Sequence, residues 1–510
     1  MTYYSKKDDS TVETWKDTNL FCHDLPSKPN PDIGKILVTG ASGYIGGRLV
    51  PELIARGYHV RIMVRAESPE YNERWPGVEI AVADALKAES LKSALDGIYT
   101  IYYLIHSLLL GPRDFASADI QSAKNIRETA EEMQIKRIIY LGGLGDMRSQ
   151  LSNHLRNRAE VADELKKGKT PVTILRAAII IGSGSASYEI ISHLTKRLPL
   201  LFIPHWAENK CQPIGIRDVI KYLVGALEKP ETTGNNYDIG GRDILTYKKM
   251  MVIIAEILGR KRFFIPFFYS NLTFYAYIIS LITPVPASIT RSLIEGLKNE
   301  VICQNHEIEN ILPFKPLSYK KAIILAMSRE DQDKIHTRWS DAYPPAHRLA
   351  IKLHELDNIP NFTAKYTLNS EKSAASLFKS ICGVGAEEGW FHSNYLWRLR
   401  GIIDSILFGV GLSRGRRSVS GLKINDVIDF WRVEDIQNNK RLLLRSEMKM
   451  PGKAWLEFTI DKEESRRILS LTIYYASHTF PGHIYWYIFL PFHNLIFHNL
   501  IKQIDMRSVR

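Results

Sequence analysis

Three glycines at dinucleotide-binding spacing form the first chemically informative segment. The apolar run Lys35–Thr39 leads directly into Gly40-Ala41-Ser42-Gly43-Tyr44-Ile45-Gly46, and a helical pattern follows at 48–56. In this arrangement the first glycine permits a tight turn, the second lets the backbone approach a pyrophosphate, and the third lets helix pack on strand. The N–H groups and the dipole at the helix start favour an anion. Because strand, turn and helix patterns surround the glycines, the segment predicts a dinucleotide site.

Arg65 ends the next predicted strand, Tyr58–Arg65, 19 positions after Gly46. A site for the unphosphorylated dinucleotide usually has an Asp or Glu about here, which binds the ribose hydroxyls. A carboxylate would repel a 2′-phosphate, whereas a guanidinium can pair with it through two hydrogen bonds. The arginine therefore predicts NADPH over NADH. The alternative is an exposed arginine at a strand end with no ligand.

Strand and helix patterns continue to alternate after Arg65. The third predicted strand, 78–83, ends at Asp84, whose carboxylate can accept a hydrogen bond from an adenine amino group. The fourth, 98–106, ends at His106, where we expect the nicotinamide. Such alternation predicts an α/β fold with a doubly wound parallel sheet. The residues assigned to the cofactor are Gly40, Ser42, Gly43, Tyr44, Ile45, Gly46, Arg65, Asp84, Ala85 and His106.

Several motifs spread over about 34–329 resemble the extended, NmrA-like type of atypical short-chain dehydrogenase/reductase. The resemblance implies an NAD(P)-binding Rossmann domain with a smaller substrate lobe built mainly from residues after about 180. The motifs that carry it are TGASGYIG (39–46), Arg65, Asp84, LRAAIIIG (175–182), QPIGIRDV (212–219) and NYDIGG (236–241).

The catalytic pair of that superfamily is absent. Its reductases usually use Tyr-x-x-x-Lys, and here that spacing occurs only at Tyr3–Lys7, near the start of the chain. The helix after the fifth predicted strand carries His154-x-x-x-Arg158 instead. Histidine titrates near neutrality and can shuttle a proton, and Arg158 can hold ribose or phosphate, so these two are our catalytic candidates. The alternative is a polar helix face near the ligand with no catalytic role.

The second half of the chain predicts an α+β domain. A strand at 362–368 precedes a helix predicted to begin near Ser370, four antiparallel strands follow between 427 and 475, and a helix at 485–504 closes the domain. This order resembles the helix-grip, START-like lipid-binding fold. Over about 360–510 the sequence more closely resembles a domain of uncharacterised function (DUF2867 type) that is fused to such reductases in bacteria. A cavity between sheet and helix would suit an apolar ligand.

These patterns predict four segments: a flexible tail at 1–32, the Rossmann domain with its lobe at 33–330, a linker at 331–357 and the START-like domain at 358–510. No residue between 263 and 290 is charged, and a stretch of that length can span a membrane. Prolines interrupt it, however, so we weigh peripheral membrane contact against a buried or lid-like helical segment.

The composition narrows the function classes. The chain has 510 residues, 45% of them apolar and 24% charged, which excludes a disordered or collagen-like protein. A net charge of +12 is modest for this length, and no nucleic-acid-binding motif is present. The four cysteines lie far apart, with neither zinc nor disulfide spacing, which favours the reducing cytoplasm. Neither they nor the histidines at 478, 483, 493 and 498 have metal-ligand spacing, and we expect these histidines to pack or form hydrogen bonds.

Two functional hypotheses remain. The first is an NADPH-dependent oxidoreductase acting on an apolar small molecule, of quinone or isoprenoid type. The second is a non-catalytic NADPH-binding sensor or assembly factor whose C-terminal domain binds lipid or protein. The missing Tyr-x-x-x-Lys pair favours the second, and the glycine motif is compatible with both. The sequence specifies neither the substrate nor an oligomeric state.

Overall fold

The computed structural model divides the chain into two compact units. The first comprises residues 1–276 and 288–344, and the second comprises 277–287 and 345–510. Within these bounds the structure describes residues 20–65, 69–106, 115–145, 152–267, 271–283, 285, 287–331, 353, 360–385, 389–390, 394–406, 422, 426–463 and 466–508. The predicted linker at 331–357 and the first 19 residues of the predicted tail lie almost wholly outside them.

The first unit alternates strands and helices. Its strands are β1 (Lys35–Thr39), β2 (Val60–Val64), β3 (Glu79–Val82), β4 (Ile98–Tyr103), β5 (Arg137–Gly143), β6 (Val172–Ala177), β7 (Ile180–Ile181), β8 (Leu200–Pro204), β9 (Lys210–Cys211), β10 (Ile214–Gly215), β11 (Asn236–Ile239), β12 (Leu245–Thr246) and β13 (Phe263–Phe267). Its helices are α1 (Gly46–Ala55), α2 (Pro69–Arg74), α3 (Ala88–Leu95), α4 (Phe115–Glu132), α5 (Asn153–Lys166), α6 (Ala186–Arg197), α7 (Ile216–Glu228), α8 (Tyr247–Ile257), α9 (Leu272–Ile282, which crosses the division), α10 (Ala287–Gly296), α11 (Glu307–Ile311) and α12 (Tyr319–Asp331).

Seven of these strands form one sheet in the order β11-β6-β5-β4-β1-β2-β3, and every neighbouring pair is parallel. The order reverses between β1 and β4, the switch point at which ligands bind in such sheets. The central strands are apolar because helices cover both faces, and Ile36, Leu37 and Val38 are fully buried. The predicted doubly wound α/β sheet is confirmed.

Two expectations about this unit are wrong. The apolar run at 172–181 predicts a single strand, but β6 ends at Ala177 and β7 pairs separately with β10. The predicted tail at 1–32 is not loose over its described part, because Phe21 and Cys22 are buried and their N–H groups donate to the Glu52 carboxylate. The buried apolar side chains of this segment extend the core around α1.

The motifs of the substrate lobe hold its segments on the sheet. Arg176 of β6 donates to Asp238 of β11 at 2.7 Å, and the second carboxylate oxygen of Asp238 accepts from the N–H of Gln304 at 2.9 Å. Gln212 bridges two further segments, donating to Gly241 O at 2.9 Å and accepting from Cys303 N at 3.0 Å. Asp238 and Gln212 are buried, so these hydrogen bonds position the lobe from within the protein.

The second unit is an antiparallel sheet with helices. Its elements are β14 (Phe362–Ser370), α13 (Ala374–Cys382), α14 (Asn394–Ile406), β15 (Val427–Ile428), β16 (Trp431–Gln437), β17 (Arg441–Ser446), β18 (Lys453–Glu463), β19 (Arg466–Ala476) and α15 (Phe480–Arg507). The strand order is β14-β19-β18-β17-β16-β15. Alternate residues of β18, including Leu456 and Phe458, join a core with Phe497 and Ile501 of α15. The other face of the sheet carries ion pairs such as Arg441–Glu457.

The structure corrects the second-unit boundaries. The strand predicted to stop at Leu368 continues to Ser370, and helix α13 begins only after Ser373, which caps it by accepting from Ser376 N at 3.1 Å. The closing helix predicted over 485–504 begins earlier, because 480–483 forms the first turn of α15. Across the described residues, no helix combines the length and the apolarity needed to cross a bilayer; the uncharged stretch at 263–290 contributes β13, α9 and the start of α10.

Candidate functional site

The glycine turn lies at the switch point of the sheet and is held there from both sides. Thr39 donates from its hydroxyl to Tyr102 O at 3.0 Å and accepts from Leu104 N at 3.1 Å, which ties the end of β1 to the end of β4. Gly40 has φ +64°, and a Cβ on it would lie 2.6 Å from Leu104 O. A Cβ on Gly46 would collide with Gly40 O and lie 2.7 Å from the Ala41 Cα. Only glycine fits at either position.

This turn has the features of an anion cradle. Helix α1 begins at Gly46, and no side chain caps its start at Ile45. Ser42, Tyr44 and Ile45 are partly buried beside the turn. The fit of a dinucleotide therefore rests on close backbone packing at the two tight glycines and on an uncapped helix start, both of which suit a diphosphate.

The remaining predicted cofactor residues lie at the same edge of the sheet. Arg65 follows β2 and is exposed, and Asp84 follows the adjacent strand β3. The Asp84 Oδ1 accepts from Leu86 N at 3.1 Å, so its carboxylate is held by its own turn. Ala85 is buried, and its carbonyl accepts from the Asn125 side chain at 2.8 Å. The structure thus brings Arg65 and Asp84 together, while Ala85 contributes to packing.

A cavity of about 290 Å³ opens beside the glycine turn, at the carboxyl ends of β4, β5 and β6. Tyr44 and Ile45 form one side and Gly142 and Gly143 form another. A Cβ on Gly143 would lie 3.1 Å from the Leu155 side chain, so α5 packs directly on β5 at this point. The other lining residues are mostly apolar and come from 177–187 and 293–301, together with Tyr247, His106, His154 and Arg158.

Two histidines face each other across this cavity. The ring centroids of His106 and His154 lie 5.2 Å apart. His106 Nδ1 lies 3.2 Å from the Asp119 carboxylate on α4. Because a carboxylate only accepts, Nδ1 carries the hydrogen and Nε2 of the neutral ring is an acceptor. Both His106 Nε2 and His154 Nδ1 are buried, and within the described part of the chain neither has a hydrogen-bond partner.

The surroundings keep both imidazoles uncharged. Burial lowers the pKa of His106, although its hydrogen bond to Asp119 opposes the shift. Burial lowers the pKa of His154 well below its usual value, and the positive charge of Arg158 acts in the same direction. Uncharged imidazoles can hold or accept a proton near neutral pH.

Arg158, the second catalytic candidate, is largely committed to the scaffold. Its guanidinium donates to Leu141 O and lies 5.0 Å from the centre of the Tyr140 ring. Tyr140 in turn donates from its hydroxyl to Arg158 O at 3.1 Å. His154 and Arg158 both line the cavity, as their spacing on one helix predicts, but Arg158 fixes the end of β5.

Sequence reasoning missed Asp119. It follows the cavity-lining His106 by 13 positions, on the next helix, and is only 2% exposed. One signal could have identified Asp119: it is a carboxylate on the inner face of the helix that directly follows a ligand-binding strand. Buried carboxylates are rarely without a partner.

The comparisons with known proteins agree with this geometry. The model of the NmrA-like family matches residues 33–292, which is half of the sequence. The chain belongs to the NmrA-like family. Residues 360–500 match a second family, described as a protein of unknown function (DUF2867). The combination of the two domains is as the sequence predicts.

Curated relatives are similar to parts of the first unit. Cinnamoyl-CoA reductase 1 of Oryza sativa subsp. japonica is 29% identical over 117 residues, which is 22% of this chain and 34% of that protein. The photosystem II assembly factor Ycf39 of Trieres chinensis is 22% identical over 230 residues, or 44% and 69%. The chain therefore spans about a third of the reductase. Relatives of this NmrA-like chain include both enzymes and assembly factors.

A solved structure of similar fold is the Bordetella bronchiseptica enzyme WbmG in complex with NAD. It is 14% identical, and the match covers 60% of this chain and 96% of that one with a TM-score of 0.46.

Proposed function

We propose that this NmrA-like protein is an NADPH-dependent oxidoreductase that acts on a mostly apolar carbonyl compound, of quinone or isoprenoid type. The observation that carries the proposal is the pair of unpartnered imidazole nitrogens in an apolar cavity beside the glycine turn. Buried polar atoms in native proteins nearly always find a partner, and a substrate oxygen would provide it.

NADPH rather than NADH is proposed because of Arg65. Its guanidinium is exposed at the end of β2, beside Asp84 and at the edge where the adenosine of a bound dinucleotide lies. A bound NADPH would supply the hydride. An exposed guanidinium can pair with the 2′-phosphate in a bidentate arrangement, which an aspartate at that position would repel.

The proton chemistry in this proposal belongs mainly to His106 and Asp119. Asp119 orients the ring and holds the hydrogen on Nδ1. When Nε2 takes up a proton from solvent, the Asp119 carboxylate offsets the charge of the ring, and Nε2 can donate that proton to the carbonyl oxygen of the substrate. His154, uncharged and 5.2 Å away between ring centres, orients that oxygen by a hydrogen bond. Arg158 holds β5 and α5 together, and its positive charge adds to the burial that lowers the pKa of His154. This assignment adds Asp119 to the His154–Arg158 pair and gives His106 an acid–base role.

Stopped-flow absorbance at 340 nm tests the proposal directly. We expect NADPH oxidation with some members of a panel of quinones and ketones. His106→Gln should lower turnover by about 10²-fold or more, the range of a lost acid–base group, with NADPH affinity retained. His205→Gln, which changes an exposed histidine of the same unit, is the matched control. Turnover that persists in the His106 variant contradicts the assignment.

The competing function is a non-catalytic NADPH-binding assembly factor. Two observations favour it: one relative is named as an assembly factor, and no lysine lines the cavity within the described residues. NADPH binding by calorimetry, with no turnover on a broad substrate panel, would support this alternative. Under either function, we propose that the C-terminal domain has a START-like fold.

A further inference from the structure

A second cavity lies wholly within the second unit. It has a volume of about 230 Å³ and lies between helices α14 and α15 and the strands β18 and β19. Met448, Met450, Ile473 and Phe489 are among its walls, and most of the remaining lining is also apolar or aromatic. A concave apolar site with a few polar atoms is the usual form of a small-molecule site.

The polar atoms of this cavity lack partners. The indole nitrogens of Trp397 and Trp431, Nη1 of Arg400 and Nδ1 of His493 are buried and, among the residues that the structure describes, have no hydrogen-bond partner. The two tryptophans are 6% and 3% exposed. Indole and guanidinium N–H groups can only donate, so three of these four atoms require an acceptor. The fourth, on an imidazole, can donate or accept according to its tautomer.

The cavity carries no uncompensated positive charge. Arg400 lies at its edge, but its Nη1 is 3.7 Å from the buried Asp404 carboxylate and its Nη2 donates to Lys449 O at 3.1 Å. Burial lowers the pKa of His493 to about 4, so this ring is uncharged near pH 7. A carboxylate brought into the cavity would lose its hydration without gaining a free cation. The site therefore favours a neutral ligand.

The entrance is also apolar. Leu399 and Ile403 on α14 and Phe492 on α15 line the cavity and are 53%, 43% and 50% exposed. On the same surface of α15, Ile488 and Leu495 are 58% and 54% exposed. Large apolar side chains grouped around an opening mark a binding surface more often than a bare solvent face. They suit a ligand whose hydrocarbon portion extends from the cavity along α15.

We propose that the second unit binds a neutral, predominantly hydrocarbon small molecule that carries a carbonyl, ether or hydroxyl oxygen. The oxygen accepts from Trp397 and Trp431, and the hydrocarbon lies between α14, α15 and the sheet. The site is separate from the NADPH site, and the inference does not depend on the proposed oxidoreductase activity.

Titration of the full-length protein with the neutral fluorescent probe N-phenyl-1-naphthylamine tests the site. We expect saturable binding that quenches tryptophan fluorescence, and displacement of the probe by 2-decanone at about tenfold lower concentration than by decanoate, since burying an unpaired charge is costly. Absence of saturable binding, or stronger displacement by decanoate, would overturn the proposal. Binding should be equal with and without NADPH, which separates this result from the fate of the proposed enzyme activity.

Variants test whether the probe binds in this cavity. Ala454→Phe, which fills the cavity, should abolish saturable binding, whereas Met506→Ser, which changes an exposed residue near the end of α15 and outside the lining, should leave it unchanged. Trp431→Phe should weaken displacement by the ketone about three- to tenfold, the effect of one lost hydrogen bond, with little effect on the probe itself. If Ala454→Phe unfolds by circular dichroism, His493→Phe is the second cavity variant. Binding lost in Met506→Ser but kept in the cavity variants would overturn the proposal.

Discussion

The two cavities each contain a buried, uncharged histidine, but they surround it differently. His106 in the first unit contacts the Asp119 carboxylate and faces a second imidazole. His493 in the second unit packs against the rings of Trp486 and Phe497, with centroids 5.4 and 5.7 Å away. Burial removes the charge from both rings, yet only the carboxylate fixes a tautomer and directs a ring nitrogen toward a ligand.

Because of this difference, we propose chemistry in the first cavity and only binding in the second. A proton-transfer group needs an orienting partner in addition to a suitable pKa, and the first cavity has one beside the glycine turn. The second cavity has indole donors and apolar walls, which can recognise an oxygen-bearing molecule without reacting with it. The variants below test whether the two regions are as independent as this contrast implies.

The largest effect is expected for Gly46→Val. A side chain here would collide with the backbone of Gly40 and Ala41, so the turn must open and NADPH affinity should fall by about 100-fold or more, the loss of several charge-assisted hydrogen bonds. Isothermal titration calorimetry measures it. Gly77→Asn is the control, since Gly77 has φ +79° with no atom near a new Cβ. Binding of the fluorescent probe in the second unit should stay unchanged. A loss of probe binding would contradict the independence of the two cavities.

Arg65→Gln should have the next largest effect. Removal of the guanidinium should weaken NADPH binding about 10- to 100-fold, as expected for hydrogen bonds to a charged group, while NADH binding changes little. Arg65→Lys keeps the positive charge but loses the planar guanidinium with its paired donors. Its NADPH affinity should therefore lie between those of the wild type and Arg65→Gln. Equal losses for both dinucleotides would contradict the proposed contact with the 2′-phosphate.

Asp119→Asn tests the feature that distinguishes the two histidines. The Asp119 charge and hydrogen bond raise the pKa of His106 against burial, so the variant should lower that pKa further, which NMR of histidine labelled with 13C at Cε1 would detect. Turnover should fall roughly tenfold, part of the contribution of a positioned acid–base group. Asp163→Asn changes an exposed carboxylate on α5 and should alter neither quantity. A His106 pKa that rises in Asp119→Asn would show that the carboxylate is not its partner.

The smallest effect concerns pH and the second unit. Because the pKa of His493 falls from 6.5 to about 4 on folding, the unfolded chain binds the proton first. The stability that depends on this group is complete above pH 6.5 and is lost as the pH falls towards 4. Between pH 6.5 and 5.5 the wild type should therefore lose about 1 kcal/mol more stability than His493→Phe. Urea unfolding at the two pH values measures the difference, with His498→Gln, an exposed position, as control. Equal pH dependence would contradict the burial argument.

Much of the first unit could be predicted because its signals are local. A buried strand, a glycine turn and a helix follow one another within 35–55, and each depends on neighbours in sequence. The same holds for Arg65 and Asp84, which end adjacent strands. The predicted element boundaries are wrong where tertiary contacts override the local pattern. Ser370 continues a strand because it pairs with Arg467 of β19. Residues 480–483 are helical although Pro481 and Gly482 are typical turn residues.

The sequence by itself determined the parallel sheet, the glycine turn, the sheet edge with Arg65 and Asp84, and the division into two domains of different class. It could do so because periodicity and turn chemistry encode conformation over a few residues. What only the tertiary structure decided was which side chains meet. Asp119 reaches His106 because α4 packs beside β4, Arg158 is drawn to Leu141 rather than to a ligand, and Phe21 is buried against α1. Such contacts join different elements, and their free energy arises from packing that no single segment contains.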